Sequence, residues 1–192
     1  MDPVHMHFLT LSAAQQGFLE FVQSALLSGV FQPLGTSTPA AANNLVVLAA
    51  AAGGQFEIVR WIVKDSGLPV DLKAQDQRAL SFAVESGNFK LVRWLILDSG
   101  QELDPTAHDC FFEKLADKLG FKKIATFLST VTELMLEGLS LLRLQKTPEI
   151  VDAVGAGQLP ARYCTWMTDS DVRSLFKQNP QDVLAPTQRR TL

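Results

Sequence analysis

Gly54-Gln-Phe-Glu-Ile-Val-Arg-Trp-Ile-Val-Lys-Asp-Ser-Gly67 returns 33 residues later as Gly87-Asn-Phe-Lys-Leu-Val-Arg-Trp-Leu-Ile-Leu-Asp-Ser-Gly100. A phrase recurring at a period in the thirties marks one supersecondary unit that cannot bury its apolar side alone, so copies must stack to make a core. The chain therefore reads as a solenoid, an architecture that offers extended surface to partners rather than a pocket for chemistry.

The pattern extends from this phrase in both directions. Repeat two pairs an alanine-rich inner helix, Leu45 to Ala52, with an outer helix from about Glu57 to Lys64, and Gly53-Gly54 makes the tight link that β-carbons would obstruct. Repeat three has Ala79 to Glu85 inside, Phe89 to Leu97 outside, and a connector, Asp71 to Arg78, that projects from the stack. Repeat four, Phe111 to Leu119, Gly120 and Lys122 to Leu128, keeps the glycine period. Residues 8 to 29 carry a fainter copy around Gly17, in which Leu19-Glu20-Phe21-Val22 matches Phe56-Glu57-Ile58-Val59. The turn formers of Gln32 to Ala40 read as a loop inserted after it.

These units resemble ankyrin repeats, whose form is Thr-Pro-Leu-His-x-Ala-Ala-x-x-Gly-x-x-x-Ile-Val-x-x-Leu-Leu followed by a glycine-led hairpin. Leu80, Ala83, Gly87, Leu91, Val92, Leu95 and Gly100 take the matching places in repeat three, and Ala50, Ala51, Gly54, Ile58, Val59 and Gly67 do so in repeat two. Gln77-Arg78-Ala79-Leu80-Ser81 stands where the Thr-Pro-Leu-His start belongs, and the stretch before each closing glycine is one residue longer than usual. The resemblance implies an all-α, ankyrin-like helical-hairpin solenoid of about four repeats over residues 8–130. A C-terminal helical extension at 131–180 and a tail at 181–192 complete the expected organisation.

Within the extension, Thr132 to Leu144 has the apolar spacing of an amphipathic helix that continues out of repeat four and caps the stack. Thr147-Pro148-Glu149 reads as a helix start, because threonine can accept an orphan amide and proline's missing N–H costs nothing there. Thr147 to Leu159 has the outline of a decayed fifth repeat. A last helix is expected from Asp169 to Lys177, started by Thr168 with Asp171 three residues on and stopped at Asn179-Pro180.

Composition narrows the function. A formal charge of −3 and a pI near 5.6 give no basic stripe, so nucleic acid is not the expected partner. Two cysteines, Cys110 and Cys164, suit free thiols in a reducing, intracellular compartment. No run approaches the roughly 20 apolar residues that would span a bilayer, and the acidic Met1-Asp-Pro start is unlike a targeting peptide. Gly53-Gly54 and Gly155-Ala-Gly157 lack the following lysine and hydroxyl residue of a phosphate loop, Arg189-Arg190 is a short solvated run, and no cofactor is expected.

Each chemical candidate has a plainer reading. His5 and His7 share a side only in an extended chain and lack a third ligand, so no metal site is expected. His108-Asp109-Cys110 brings together a base, an acid and a nucleophile, but three adjacent residues cannot form a relay unaided. In ankyrin-like repeats a histidine at this turn ties neighbouring loops. Trp61 and Trp94 recur at the period, either as an exposed ladder or, as their burial energy favours, packed against the next repeat with Arg60 and Arg93 over the rings. Trp166, beside Tyr163 and Met167, anchors either the extension or a partner.

The resulting expectation is a non-catalytic protein–protein interaction module. Its expected binding positions are Gln75, Asp76, Gln77, Arg78, Ser81, Glu85 and Asn88 from repeat three, and His108 and Asp109 from the next connector. The alternatives are a structural subunit of a large assembly, suggested by the high apolar content, and a cysteine-dependent enzyme using Cys110 or Cys164.

Overall fold

Apolar periodicity near 3.6 residues, interrupted by glycine, dictates helices joined by tight links, and helices are what form. A computed structural model of the chain describes residues 3–29, 31, 38–158, 161, 164 and 167–177, all of whose regular elements are helical. Two compact units result, Met1–Ala125 and Thr126–Leu192.

The first unit is a stack of helical hairpins. Repeat one consists of α1 (Pro3–Gln16) and α2 (Leu19–Leu27), and repeat two of α3 (Pro39–Ala52) and α4 (Phe56–Arg60), which continues as a π-helical turn over Trp61–Asp65. Repeat three consists of α5 (Ala74–Glu85) and α6 (Phe89–Leu97); α7 (Ala107–Lys118) opens repeat four and α8 (Lys122–Leu136) follows it. Inner helices pack in series, α1 on α3, α3 on α5 and α5 on α7. Ala50, Ala83 and Ala116 are fully buried at the repeat spacing, because only a methyl group lets inner helices approach closely. Outer helices fill the remaining core with Val59, Ile62, Val92 and Leu95, all at 0% exposure, each such side chain contributing roughly 1.5–3 kcal/mol on burial.

α3 begins at Pro39, earlier than the loop reading of residues 32–40 allowed. The Thr38 side chain accepts from the Ala41 amide at 3.1 Å, and Pro39 sits where a helix needs no N–H. The extra residue before each closing glycine is absorbed by a wider turn: the Ser66 amide donates to Trp61 O at 2.9 Å, and the Ser99 amide to Trp94 O at 2.8 Å. The serine hydroxyls then donate to Ile62 O (2.7 Å) and Leu95 O (2.6 Å), so both copies close identically.

Two sets of ties register the repeats. At the glycine links, the residue after each glycine reaches back one repeat. Gln55 Nε2 donates to Gln15 O at 3.1 Å, Asn88 Nδ2 donates to Gly54 O at 2.6 Å, and the Phe121 ring lies against Gly87. Gly53 has an ordinary helical backbone (φ −81°), but a β-carbon there would lie 1.9 Å from Gln15 O. Gly53 is glycine for want of space.

At the connectors, side-chain amides do the tying. Asn44 Nδ2 donates to Asp71 O and Asn44 Oδ1 accepts from the Asp71 amide, both at 3.0 Å; one period on, Gln77 Nε2 donates to Asp104 O at 3.3 Å. Gln101 holds the same connector from the other side, accepting from the Leu72 amide (2.8 Å) and donating to Val70 O (3.2 Å). His108, expected to tie these loops, is exposed instead; Asn44, whose amide donates and accepts at once, and Gln77, which donates, replace it. The connector does not simply project either, since Leu72 is 2% exposed.

Trp94 is half-buried and meets Phe56 of the preceding repeat edge-on (5.8 Å), not a ring of the next one. Lys90 lies over Phe56 at 3.8 Å and Lys123 over Phe89 at 4.2 Å, a pair at the repeat period. Arg60 pairs with Glu57 at 3.9 Å and Arg93 with Asp98 at 3.5 Å.

The boundary between the units falls inside α8. The expected single helix over Thr132–Leu144 is broken: α8 ends at Leu136, Gly138 takes φ +92°, and α9 (Leu141–Lys146) starts anew with the Ser140 side chain accepting from the Arg143 amide. Glycine at that left-handed position terminates a helix that the leucine spacing would otherwise extend. α10 (Pro148–Gly155) follows, but the Thr147 hydroxyl is fully buried and donates to Arg143 O at 2.9 Å instead of accepting from α10. α11 (Asp169–Lys177) opens on the anticipated reciprocal cap: the Thr168 amide donates to Asp171 Oδ2 at 2.8 Å and the Asp171 amide to Thr168 Oγ1 at 3.2 Å. The Thr168 hydroxyl, which donates to Asp171 Oδ2 at 2.6 Å, and then the Thr168 amide hold the Asp171 carboxyl below its ordinary pKa of 3.8. Trp166, Tyr163, Leu159, the Asn179-Pro180 stop and the tail with Arg189-Arg190 lie outside the described residues.

Candidate protein-binding surface

Two turns decide what the stack presents. Gln75, Asp76 and Gln77 have φ of 54°, 56° and 59°, and His108, Asp109 and Cys110 have φ of 55°, 58° and 56°. Each triplet is one left-handed turn at the head of an inner helix, and the two lie one repeat apart. Left-handed backbone costs an L-residue roughly 1–2 kcal/mol, and none of the six is glycine. The geometry divides each triplet. The third residue points in: Gln77 is half-buried and bonded to Asp104, and Cys110 is half-buried. The first two, Gln75 and Asp76, His108 and Asp109, are exposed.

The right-handed part of each inner helix continues the surface. On α5, Arg78 and Glu85 are exposed and Ser81 is half-buried, with the Arg78 guanidinium over the Phe82 ring at 5.2 Å. The matching positions are Leu45, Leu48 and Ala52 on α3, all half-buried, and Phe111, Lys114 and Lys118 on α7, where Phe111 is 43% exposed. Apolar side chains thus come from α3 and from Phe111, and the charges from α5 and α7.

Asp109 is engaged within its own hairpin. The Lys114 ammonium donates to its carboxylate, which holds the Asp109 carboxyl below its ordinary 3.8 and raises the lysine. Asn88 is committed to structure: its Oδ1 accepts from the Leu91 amide at 3.0 Å to start α6, while its Nδ2 makes the link to Gly54. Of the nine candidate positions, Asn88 and Gln77 therefore already serve the stack. Sequence reading missed the apolar companions Leu45, Leu48 and Phe111, which the repeat register alone would have placed beside Arg78 and Ser81, and Phe82, one turn along α5 from Arg78.

The cysteine chemistry has little support in this geometry. Cys164 is fully buried, and burial pushes its thiol up, away from the thiolate that attacks. Among the described residues no group of three His, Cys, Asp or Glu is placed to hold a metal ion, and no helix is long and apolar enough to cross a membrane. His7 is buried, stacked on Phe31 at 5.6 Å, as a packing residue of α1.

No curated protein and no solved structure matches the chain. A family model does: ankyrin repeats, in three copies, cover residues 10–108, more than half of the 192 residues. Helical hairpins at this period, inner helices stacked through alanine and connectors tied repeat to repeat agree with that match. The chain belongs to the ankyrin-repeat family, whose stacks are protein–protein interaction modules.

Proposed function

We propose that this chain is a non-catalytic adaptor that holds a partner protein along its inner helices and the left-handed turns above them. Gln75, Asp76, Arg78, Ser81, Glu85, His108 and Asp109 make the polar contacts, and Leu45, Leu48, Phe82 and Phe111 supply the apolar seat between them. The observation that carries this reading is the pair of left-handed turns. Six non-glycine residues are held at positive φ, and four of them send their side chains into solvent, where no core contact offsets the backbone cost. Strain kept at an exposed, repeated position is accounted for by recognition.

Affinity isolation from the native source, with the wild-type chain beside a variant carrying Asp76→Lys, Arg78→Glu, Glu85→Lys and Asp109→Lys, tests it. The four positions are exposed, so the variant is expected to melt as the wild type does and to lose the specific partner. Retention of every partner by the folded variant overturns the proposal. A Cys110→Ser chain is expected to capture as well as wild type, and failure there would revive the cysteine reading.

A further inference from the structure

Each inner helix presents one residue nine positions before its link glycine, and these make a row along the stack: Phe8, Leu45, Arg78 and Phe111. Three of the four are apolar. Phe8 is 63% exposed and Phe111 43%, so two large rings stand in water at the ends of a row that also holds a half-buried Leu45 and an exposed Arg78. The next row is Leu11, Leu48, Ser81 and Lys114, and the last, beside the links, is Gln15, Ala52, Glu85 and Lys118. Repeats one and two therefore put no charge on these rows, and Arg78 is the one charge within the first. Its guanidinium lies over the Phe82 ring, and among the described residues no carboxylate pairs with it. The other charges are placed differently. Lys114 is taken by Asp109, Glu85 and Lys118 hold matching places of adjacent repeats at the rim beside the links, and Asp76 stands on the turn at the opposite rim.

We infer that the partner is a protein segment carrying a carboxylate between apolar side chains, and that Arg78 selects it; this rests on the adaptor reading and names the chemistry of its partner. A segment that covers Phe8, Leu45 and Phe111 also takes Arg78 out of water. A guanidinium stripped of water is unfavourable unless a carboxylate meets it, and arginine presents its N–H groups in a fork that fits one. A basic segment would set like charge against Arg78 within the row. Asp76, Glu85 and Lys118, at the rims, keep their hydration and contribute little to the choice. Packed helices lie roughly 8–10 Å apart and an extended chain advances about 3.3 Å per residue, so the acid is expected with apolar residues roughly two or three positions away on both sides, over Leu45 and Phe111.

Panning a phage-displayed library of random short peptides against the full chain tests this. The wild type is expected to enrich Asp or Glu flanked by apolar residues at that spacing, and Arg78→Glu to enrich Lys or Arg in its place. When a selected peptide is remade with the amide in place of its acid, its binding by fluorescence polarisation is expected to weaken at least about tenfold on the wild type and to change less than about twofold on Arg78→Ala. Phe8→Glu with Phe111→Glu, both at exposed positions and expected to melt as the wild type does, should lose the peptides. Peptides that need Phe8 and Phe111 but show no preference for acid, or whose acid matters as much on Arg78→Ala as on the wild type, overturn the inference and leave the adaptor reading standing. A library that yields no binder, or only binders indifferent to Phe8 and Phe111, overturns both.

Discussion

Single atoms decide some of the stability. At Gly53 the backbone is an ordinary helical one, so Gly53→Ala tests space alone. With a β-carbon 1.9 Å from Gln15 O, the two repeats must part, and unfolding in urea should show a loss of about 1–3 kcal/mol. Gly138→Ala tests the opposite case, open surroundings with φ +92°, and is expected to cost roughly 1–2 kcal/mol from the left-handed backbone alone. Gln75→Gly moves the other way. Glycine relieves the left-handed strain but adds freedom to the unfolded chain, leaving a gain of about 0.5–1 kcal/mol, and it removes an exposed side chain from the proposed binding surface. Thermal melts should therefore rise as partner capture falls. None of these residues advertises its role: Gly53 reads as a link glycine, and Gln75 as one polar residue among several.

Helices were the most legible level. Alanine at 50, 83 and 116 could be read as the narrow contact between inner helices, and Ala83→Leu is expected to destabilise by about 1–3 kcal/mol because a buried methyl site with 0% exposure has no room for a branched chain. Trp94→Ala is expected to cost about 2 kcal/mol, below the 3–5 kcal/mol typical of a fully buried aromatic, because the indole is half-exposed and its main ring contact is Phe56. Calorimetry of both variants checks the order. Element ends were less legible. The Thr-Pro start recognised at 147–148 is the signal that operates at 38–39, where the density of turn formers masked it, whereas at 147 the buried hydroxyl turns back to α9. Leucine spacing carried the eye past Gly138, since periodicity reports a face and not the backbone angle that ends it.

Across the whole chain, acid should loosen both units through named carboxylates. Asp109 in the first unit and Asp171 in the second have folded pKa values held below 3.8, by Lys114 and by Thr168. A depressed folded value means the stabilisation is present above the unfolded pKa and is lost as pH falls through the folded one, so melting temperature should hold from neutrality down to about pH 4 and drop below it. Asp109→Asn with Asp171→Asn should flatten that drop by giving up, already at neutral pH, the same small stabilisation, since both carboxylates are exposed. A fall that begins near pH 6, or one unchanged in the double variant, would assign acid sensitivity elsewhere.

The repeat period, the helical-hairpin units and the alanine contact were all written in the one-dimensional pattern, because each depends on residue type and spacing along a single helix. The left-handed turns and the amide ties from Asn44, Gln77 and Gln101 were decided only by the tertiary structure. Each is a relation between one repeat and the next, where a side chain's partner lies about thirty residues away and the backbone must bend to reach it.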